Sequence, residues 1–294
     1  MRYNFLAIVM SISFIVIILH IALNCMDISL VDSINAALPI NNGQNKFIFK
    51  AWDIKYNPSN GNIYVVNTFS GNISVIDNSS NTVKATIPVG DGPQDLKYNP
   101  SNGDMYVANT RSNSVSVIDS SSNTVKATID VNFPWRLKYN PSNGDMYVAI
   151  TDRGNISVID SSSNTVKATI PVGFEPSSLE YVPSNGNIYV ANTRSNSVSV
   201  IDSSSNTVKA TIDVGNSPKD LKYNPSNNNM YMVNGNNISV IDSSSNTVKA
   251  TIPVDDGPQD KYNPSNGNTH RTNEFSDSAS VITKAASNMD AIKF

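Results

Sequence analysis

One segment, Tyr-x-Pro-Ser-Asn, recurs six times and organises nearly the whole chain. Its tyrosines follow one another at steps of 39 to 42 residues, at Tyr56, Tyr98, Tyr139, Tyr181, Tyr223 and Tyr262. A repeat of this length is one supersecondary unit that cannot bury its apolar face alone, so neighbouring units must stack. The period therefore predicts an array of similar units, in which the few residues that differ between copies can carry a specific function.

The composition narrows the class of protein. The 294 residues carry 24 acidic and 21 basic side chains, a net charge of −3, so no overall basic field points to nucleic acid. The single cysteine, Cys25, lies in or just beyond the N-terminal apolar segment. The repeats therefore contain neither a disulfide nor a cysteine-based metal site, and strand pairing and packing must supply their stability.

The N-terminal segment has the features of an export signal. Arg2 precedes a mostly apolar run from Phe5 to Leu23, the pattern of a signal peptide. As a helix this run would span roughly 28 Å, which also suits an uncleaved membrane anchor. We assign residues 1–37 to a signal peptide or membrane anchor and residues 38–45 to a linker, and we expect the repeats to be extracellular or on the cell surface.

Each repeat contains four short strand candidates. In the second copy, Val115 and Val117 alternate with serines, and residues 124–129 alternate in the same way. This period of two predicts half-buried strands. Met105–Ala108 is a continuous apolar run, as expected for a strand buried on both faces.

Turn residues separate these strands at the same places in each copy. Asn-Pro-Ser-Asn-Gly predicts a tight reversal between the first and second strands, because proline presets φ and Asn-Gly tolerates positive φ. Asp-Ser-Ser-Ser-Asn predicts a second reversal in which the aspartate accepts nearby backbone N–H groups. We therefore assign turn capping, and not catalysis or metal binding, to the repeated aspartates Asp77, Asp119, Asp160, Asp202 and Asp242.

Four antiparallel strands in about 42 residues, repeated around an axis, predict an all-β propeller of about six blades behind a hydrophobic export helix. We assign the propeller to residues 46–294. The predicted blades lie near 53–89, 95–131, 136–172, 178–214, 220–254 and 260–294. The last blade is degenerate, because Thr269-His-Arg-Thr272 replaces the apolar second strand. The fourth strand is expected outermost, where its lysine discourages pairing between molecules.

Ring closure has two candidate strands. Lys46–Lys50 could add its Phe-Ile-Phe run to the last blade, or the tail Ser287–Phe294 could complete that blade. We favour the N-terminal strand, because it would tie the two ends of the chain together and abolish the free edge.

The second strand of the repeat carries a family resemblance. It is written Ile63-Tyr-Val-Val-Asn67, Met105-Tyr-Val-Ala-Asn109, Ile188-Tyr-Val-Ala-Asn192 and Met230-Tyr-Met-Val-Asn234. Together with the Ser-Val-Ile-Asp and Asn-Thr-Val segments that follow, it resembles the YVTN-type β-propeller repeat over about residues 46–284. The resemblance implies a secreted or surface-attached propeller, common among archaeal surface-layer-like proteins and some bacterial periplasmic proteins, with about seven blades against the six copies counted here. It implies no single activity and no catalytic residue.

The two faces of such a propeller differ in how much their loop sequences vary among the copies. The loops between blades and those between second and third strands share one face, here called the variable face, which holds nearly all the differences among copies. The opposite face, here called the uniform face, repeats its two turn sequences almost unchanged. The candidate ligand-binding residues of the variable face are Trp52, Phe69, Arg111, Phe133, Trp135, Arg136, Arg153, Phe174, Glu175, Arg194 and Lys219.

Aromatic and guanidinium groups together suit stacking on rings while holding anionic groups. We therefore predict a non-enzymatic binding or structural module whose ligand is an anionic glycan or another surface polymer. Two further partners are a surface protein and, through an uncleaved leader, the membrane. In the alternative interpretation the aromatic residues plug the central channel or pack between blades and the arginines are only solvated.

Two other functions are weaker alternatives. Asp152, Glu175, Asp255 and Asp256 could hold Ca²⁺ in a lactonase-like hydrolase. Salt-sensitive binding would instead favour a periplasmic propeller that binds single-stranded nucleic acid. We assign no catalytic residue, metal ligand or cofactor, because no histidine pair or serine–histidine–aspartate set occurs in the repeats.

Four Asn-x-Ser sequences are candidate glycosylation sites in an exported chain. They begin at Asn72, Asn78, Asn155 and Asn237. Glycans at these positions would suit a surface coat.

Overall fold

The computed structural model describes residues 51–254, and beyond them only the strand segments 258–263, 268–273, 279–282 and 292–293. Every regular element in these residues is a β-strand, and no helix there is long and apolar enough to cross a membrane. The predicted leader and linker lie outside the described residues.

The strands form six four-stranded antiparallel sheets, called sheets one to six, each taken in chain order. Sheet one contains β1 (Ala51–Asn57), β2 (Asn62–Asn67), β3 (Asn72–Asp77) and β4 (Thr82–Pro88). Sheet two contains β5 (Pro93–Tyr98), β6 (Met105–Asn109), β7 (Ser114–Asp119) and β8 (Thr124–Asp130). Sheet three contains β9 (Pro134–Tyr139), β10 (Met146–Ile150), β11 (Asn155–Asp160) and β12 (Thr165–Pro171).

The remaining sheets follow the same plan. Sheet four contains β13 (Pro176–Val182), β14 (Asn187–Asn192), β15 (Ser197–Asp202) and β16 (Thr207–Asp213). Sheet five contains β17 (Pro218–Asn224), β18 (Asn229–Asn234), β19 (Asn237–Asp242) and β20 (Thr247–Pro253). Sheet six contains β21 (Pro258–Asn263), β22 (Asn268–Asn273), β23 (Ala279–Ile282) and β24 (Ile292–Lys293).

The first strands of successive sheets lie against one another, β1 on β5, β5 on β9, β9 on β13, β13 on β17 and β17 on β21. The apolar core lies between neighbouring sheets, where side chains such as Tyr106 and Val115 of sheet two pack with Met146 and Val148 of sheet three. The fourth strands are the most exposed in sheets one to five, as predicted. Repeated four-stranded antiparallel sheets stacked in this way are consistent with a β-propeller.

Two predictions about strands were wrong. The preferred closing strand Lys46–Lys50 lies outside the described residues, and the fourth strand of sheet six comes instead from the C-terminal tail, where Val281 pairs with Ile292.

The third strand is also more buried than its alternation suggested. Ser114 and Ser116 are buried along with Val115, because one face of β7 packs on the preceding sheet and the other on the following sheet.

The repeated turn aspartates cap their own turns, as predicted. Asp77 Oδ1 accepts the Ser79 hydroxyl at 2.5 Å and the backbone N–H groups of Ser79 and Ser80 at 2.9 Å each. The Ser79 hydroxyl and these N–H groups lower the pKa of Asp77 to about 2. Asp160 has the same bonds and also a pKa of about 2.

The uniform face has a structural role that explains its constancy. Tyr147 of sheet three is fully buried, and its hydroxyl donates to Asn206 Oδ1 of sheet four at 2.8 Å. Asn143, from the Asn-Pro-Ser-Asn-Gly turn, donates its amide to Ser203 O of sheet four at 3.2 Å. Tyr64, Tyr106 and Tyr189 bond to the equivalent asparagine of the next sheet. In sheets one to four the two turn motifs therefore bind each sheet to the next, a contact here called the clasp.

Replacing Tyr147 by phenylalanine is expected to lower the free energy of unfolding by about 1–2 kcal/mol, because Asn206 Oδ1 and Asn143 Nδ2 lose a buried partner. Urea denaturation measures this loss. The matched control is Tyr56→Phe, since Tyr56 is 40% exposed and its change should stay within about 0.5 kcal/mol. Equal losses in the two variants would contradict the clasp.

Candidate functional site

Among the described residues, hydrogen bonds tie loops of the variable face in one sheet to those of the next, and these loops are here called the belt. Thr110 Oγ1 donates to Pro134 O at 2.6 Å, and Thr193 Oγ1 donates to Pro218 O at 2.7 Å. Phe174 N donates to Ser195 Oγ at 2.7 Å. Side chains on these loops are therefore presented from a bonded frame.

One position in this belt has an unusual backbone. The first strands β5, β9, β13 and β17 each open with a proline, and the residue before that proline has positive φ, at 63° for Gly92, 43° for Phe133, 56° for Glu175 and 54° for Ser217. Among the described residues with positive φ, only Phe133, Glu175 and Ser217 are neither glycine nor asparagine. The left-handed conformation costs such residues about 1 kcal/mol. Gly92 adopts the same backbone conformation at this turn position without that energetic cost.

The predicted aromatic residues of this face are mostly exposed. Trp52 is 38% exposed, Phe69 65%, Phe133 47% and Phe174 68%. Trp135 is half-buried, and the Arg136 guanidinium lies 5.0 Å from its ring centroid. The four exposed rings are therefore not packed between sheets.

Carboxylates lie beside some of the predicted arginines, so the variable face carries less net positive charge than the sequence suggested. Arg194 Nε lies 2.6 Å from Glu175 Oε2, and Arg153 Nε lies 3.7 Å from Asp152 Oδ2. Arg111 makes no ion pair within the described residues, and its side chain crosses directly over Gly92. Lys219 is exposed. Two of the three arginines thus share their site with a carboxylate.

The sequence analysis did not predict a set of charged side chains on the first strands that bond to one another and to the next sheet. Asp95 Oδ2 accepts Leu137 N of the next sheet at 2.6 Å, and Asp95 Oδ1 accepts Lys97 Nζ at 2.9 Å. Further along, Lys138 Nζ donates to Glu180 Oε1 at 2.8 Å, again between sheets. The signal available in the sequence was the Asp-Leu-Lys motif of the first strand, which becomes Arg-Leu-Lys in sheet three and Ser-Leu-Glu in sheet four.

The pKa shifts of this group follow from burial and the neighbouring charges. Burial raises the pKa of Asp95, but Lys97 and Arg136 outweigh it and lower that pKa to about 2. In Asp53 burial prevails over the attraction of Lys97 and Lys55, so its pKa is raised. Burial lowers the pKa of Lys97, yet Asp95 and Asp53 together raise it. Folding therefore favours the ionised form of Asp95 and disfavours that of Asp53.

The proposed calcium ligands do not converge within the described residues. Asp152 lies beside Arg153 and Glu175 beside Arg194, and Asp255 and Asp256 fall outside the described residues. In the part of the chain that is described, no three His, Cys, Asp or Glu side chains form a group able to hold a metal ion.

The glycosylation candidates occupy two kinds of place. Asn72, Asn155 and Asn237 begin the third strands of sheets one, three and five, where each pairs with a proline of the fourth strand. Asn78 lies in a turn of the uniform face. Sheets two and four carry a Ser–Asp pair, Ser114 with Asp130 and Ser197 with Asp213, instead of the Asn–Pro pair.

Comparisons with known proteins support the fold. No protein-family model matches the chain, and a search of curated proteins also finds no match. The YVTN family is therefore not confirmed. Among solved structures, hydrazine synthase of Kuenenia stuttgartiensis matches 83% of this chain and 79% of its own, with 19% identity and a TM-score of 0.66. A functionally unknown protein from Desulfotomaculum acetoxidans DSM 771 matches 86% of both chains, with 14% identity and a TM-score of 0.65.

A third solved structure is the dihydro-heme d1 dehydrogenase NirN in complex with DHE, which matches 83% of this chain with 12% identity and a TM-score of 0.70. The chain spans 57% of the length of NirN. The structural neighbours include β-propeller-like proteins. At these identities the likeness concerns the fold alone.

Proposed function

We propose that this protein is an exported, six-bladed β-propeller of the surface-protein type that binds an anionic surface glycan through its variable face. The binding is non-catalytic, and the N-terminal segment either directs export or anchors the protein. The six consecutive sheets, whose first strands adjoin one another from β1 to β21, support the number of blades.

The observation that carries the proposal is the positive φ of Phe133, Glu175 and Ser217. Glycine would relieve the strain at this turn, as it does at Gly92, yet three copies keep a side chain there. Such strain is retained when the side chain itself is needed, and strained residues cluster at ligand sites. The side chains concerned lie on one face, and most of the exposed rings among residues 51–254 lie on that same face.

The chemistry of the face favours a glycan over a compact small molecule. Exposed rings such as Phe69 and Phe174 offer flat apolar surfaces on well-separated loops, which suits a long ligand. Arg111 supplies a guanidinium without a carboxylate partner in the described residues, and guanidinium groups bind carboxylate or sulfate in two-point contacts. Arg153 and Arg194, which lie beside carboxylates, would add polar contacts with little net charge.

Phe133→Gly tests the proposal, because it separates binding from folding. We expect the free energy of unfolding to stay constant or rise by about 1 kcal/mol, since strain is removed. Retention of the full-length chain on immobilised polygalacturonate and heparin should weaken about tenfold, equivalent to about 1.4 kcal/mol. Val83→Ala is the matched control, since Val83 is an apolar residue, 61% exposed, on an outer strand.

The outcomes of this experiment separate the candidate functions. Unchanged retention in Phe133→Gly, or none by the parent chain, would contradict glycan binding. Salt-sensitive binding to single-stranded DNA in the absence of glycan binding would favour the nucleic-acid alternative. A calcium-dependent rise in melting temperature accompanied by lactone hydrolysis would favour the hydrolase.

A further inference from the structure

A cavity of about 420 Å³ lies between sheets three and four and opens to solvent. Its walls are the end of β12 with Gly173 on one side and β15 with β16 on the other. Ser195, Ser197, Ser199, Thr211 and Asp213 contribute its polar side chains. This volume lies within the roughly 300–1,000 Å³ of typical small-ligand sites.

The hydrogen bonds of the two serines leave donors for a ligand. Both side chains belong to buried residues, and each hydroxyl oxygen accepts the amide of Asn192, at 3.2 Å for Ser197 and 2.9 Å for Ser199. Neither hydroxyl hydrogen has an acceptor within the described residues. Buried polar groups are usually satisfied, so these two hydroxyl hydrogens are available to a ligand that enters the cavity.

Two more observations concern Asp213 in the cavity wall and Phe174 next to that wall in sequence. Asp213 is exposed and pairs across the sheet with Ser197. Phe174 follows Gly173 directly, and its N–H donates to Ser195 Oγ, another group of the wall, at 2.7 Å. A carboxylate that accepts and hydroxyls that donate suit a polyhydroxylated ring, and Phe174, which is 68% exposed and adjacent in sequence to the wall residue Gly173, supplies an aromatic side chain next to them. The carboxylate disfavours an anionic one.

We infer that this cavity, called the 3/4 cleft, binds one uncharged sugar unit. Asp213 accepts hydrogen bonds from its hydroxyl groups, Ser197 and Ser199 donate to its oxygens, and Phe174 stacks on an apolar ring face. The inference rests on the proposed function in that it names a neutral unit of the same glycan. It predicts a ligand of mixed neutral and acidic sugars.

The chain contains its own control in the equivalent residues between sheets one and two. Residues 106–131 and 189–214 are identical in sequence, and Pro-Val-Gly occurs at both 88–90 and 171–173. The two copies differ at the next two residues, where Asp91 and Gly92 take the places of Phe174 and Glu175. Substitutions at matched positions therefore have nearly equal effects on folding but should differ in their effects on binding.

The test is a titration of the full-length chain with D-glucose, D-galactose, D-mannose and N-acetyl-D-glucosamine, followed by saturation-transfer NMR. At least one sugar should bind, and Ser199→Ala or Phe174→Asp should weaken it at least about tenfold, equivalent to about 1.4 kcal/mol. Ser116→Ala, the twin of Ser199→Ala, should leave the affinity unchanged. Asp91→Phe should create a second site and raise the number of sugars bound.

Three results would overturn the inference, namely no binding of any sugar, equal weakening in Ser199→Ala and Ser116→Ala, or no effect of Phe174→Asp. Retention on polygalacturonate and heparin, measured in parallel, separates this failure from that of the proposed function. If no monosaccharide binds while retention on the polymers is normal, the 3/4 cleft is not a sugar site and the proposed function still stands. Loss of retention in Phe133→Gly with normal monosaccharide binding would locate the polymer site at the loops and leave the cleft as an independent site.

Discussion

Replacing Asp95 by alanine is expected to lower the free energy of unfolding by about 3 kcal/mol, the lower end of the range for a broken buried charge pair. The side chain of Asp95 is only 5% exposed, whereas that of Lys97 is 28% exposed and can recover some hydration. The substitution also leaves Leu137 N without its acceptor at 2.6 Å. The melting temperature should fall by roughly 6–12 °C, as measured by circular dichroism alongside urea unfolding.

The control is Asp53→Ala at the same position of the preceding sheet. Asp53 Oδ2 lies 3.3 Å from Leu96 N, its Lys55 pair spans 3.2 Å, and its side chain is 20% exposed. Because burial raises the pKa of Asp53, its ionised form gains little from folding. We expect a loss below about 1 kcal/mol, and a larger loss than that of Asp95→Ala would refute this assignment.

The pH dependence gives an independent check through Asp95→Asn. The pKa of Asp95 is about 2 in the folded protein and about 3.9 in an unfolded chain, so folding favours the ionised form. Its contribution is fully present above about pH 4 and is lost as the pH falls through about 2. The difference in unfolding free energy between parent and variant should therefore be constant from pH 7 to about pH 4 and then shrink. A difference that persists at pH 2 would contradict it.

Gly173→Ala is expected to cost about 2–3 kcal/mol of unfolding free energy, because overpacking a well-filled site costs about that much. A Cβ at this position would lie 2.7 Å from both Cβ and Cγ of Asn192, which is fully buried at the end of β14. The strand cannot move without disturbing its pairing to β13 and β15. Urea denaturation measures the loss.

Gly186→Ala is the matched control, because a Cβ at Gly186 meets nothing within 4 Å and only the positive φ of 71° opposes it. That change should cost about 1 kcal/mol. The chain also suggests a compensating pair, since Asn132 replaces this glycine in sheet three, where Ile150 replaces the strand-ending asparagine. Gly173→Asn combined with Asn192→Ile should therefore be less destabilised than Gly173→Asn alone. Additive losses would show that the two positions are not coupled.

Much of the local structure was readable from the sequence because its signals are short-range. The Asn-Pro-Ser-Asn-Gly and Asp-Ser-Ser-Ser-Asn turns were predicted from the conformations that those residues tolerate, and Asp77 caps its turn as expected. The continuous apolar run Met105–Ala108 is buried on both faces, as predicted. The burial of Ser114 and Ser116 was missed, because alternation reports polarity and not the number of sheets that cover a strand.

The candidate site was only partly predictable. The variable face was found by comparing copies, and its exposed rings Phe69 and Phe174 are on it. The ion pair of Arg194 was not foreseen, because Glu175 comes from a different loop and reaches Arg194 only when β13 pairs with β14. The positive φ of Phe133 could not be predicted either, because it depends on how the loop has to connect two neighbouring sheets.

The sequence by itself determined the repeating unit, its four strands and its turns, because hydrophobic alternation and turn chemistry act within a few residues. The tertiary structure alone decided what the repeats do to one another. Tyr147 clasps the next sheet, Asp95 binds Leu137 N, and Ser197 and Ser199 line a cleft beside Gly173. These contacts join residues about 20 to 60 positions apart, so they depend on how neighbouring sheets are placed around the axis, which no local pattern encodes.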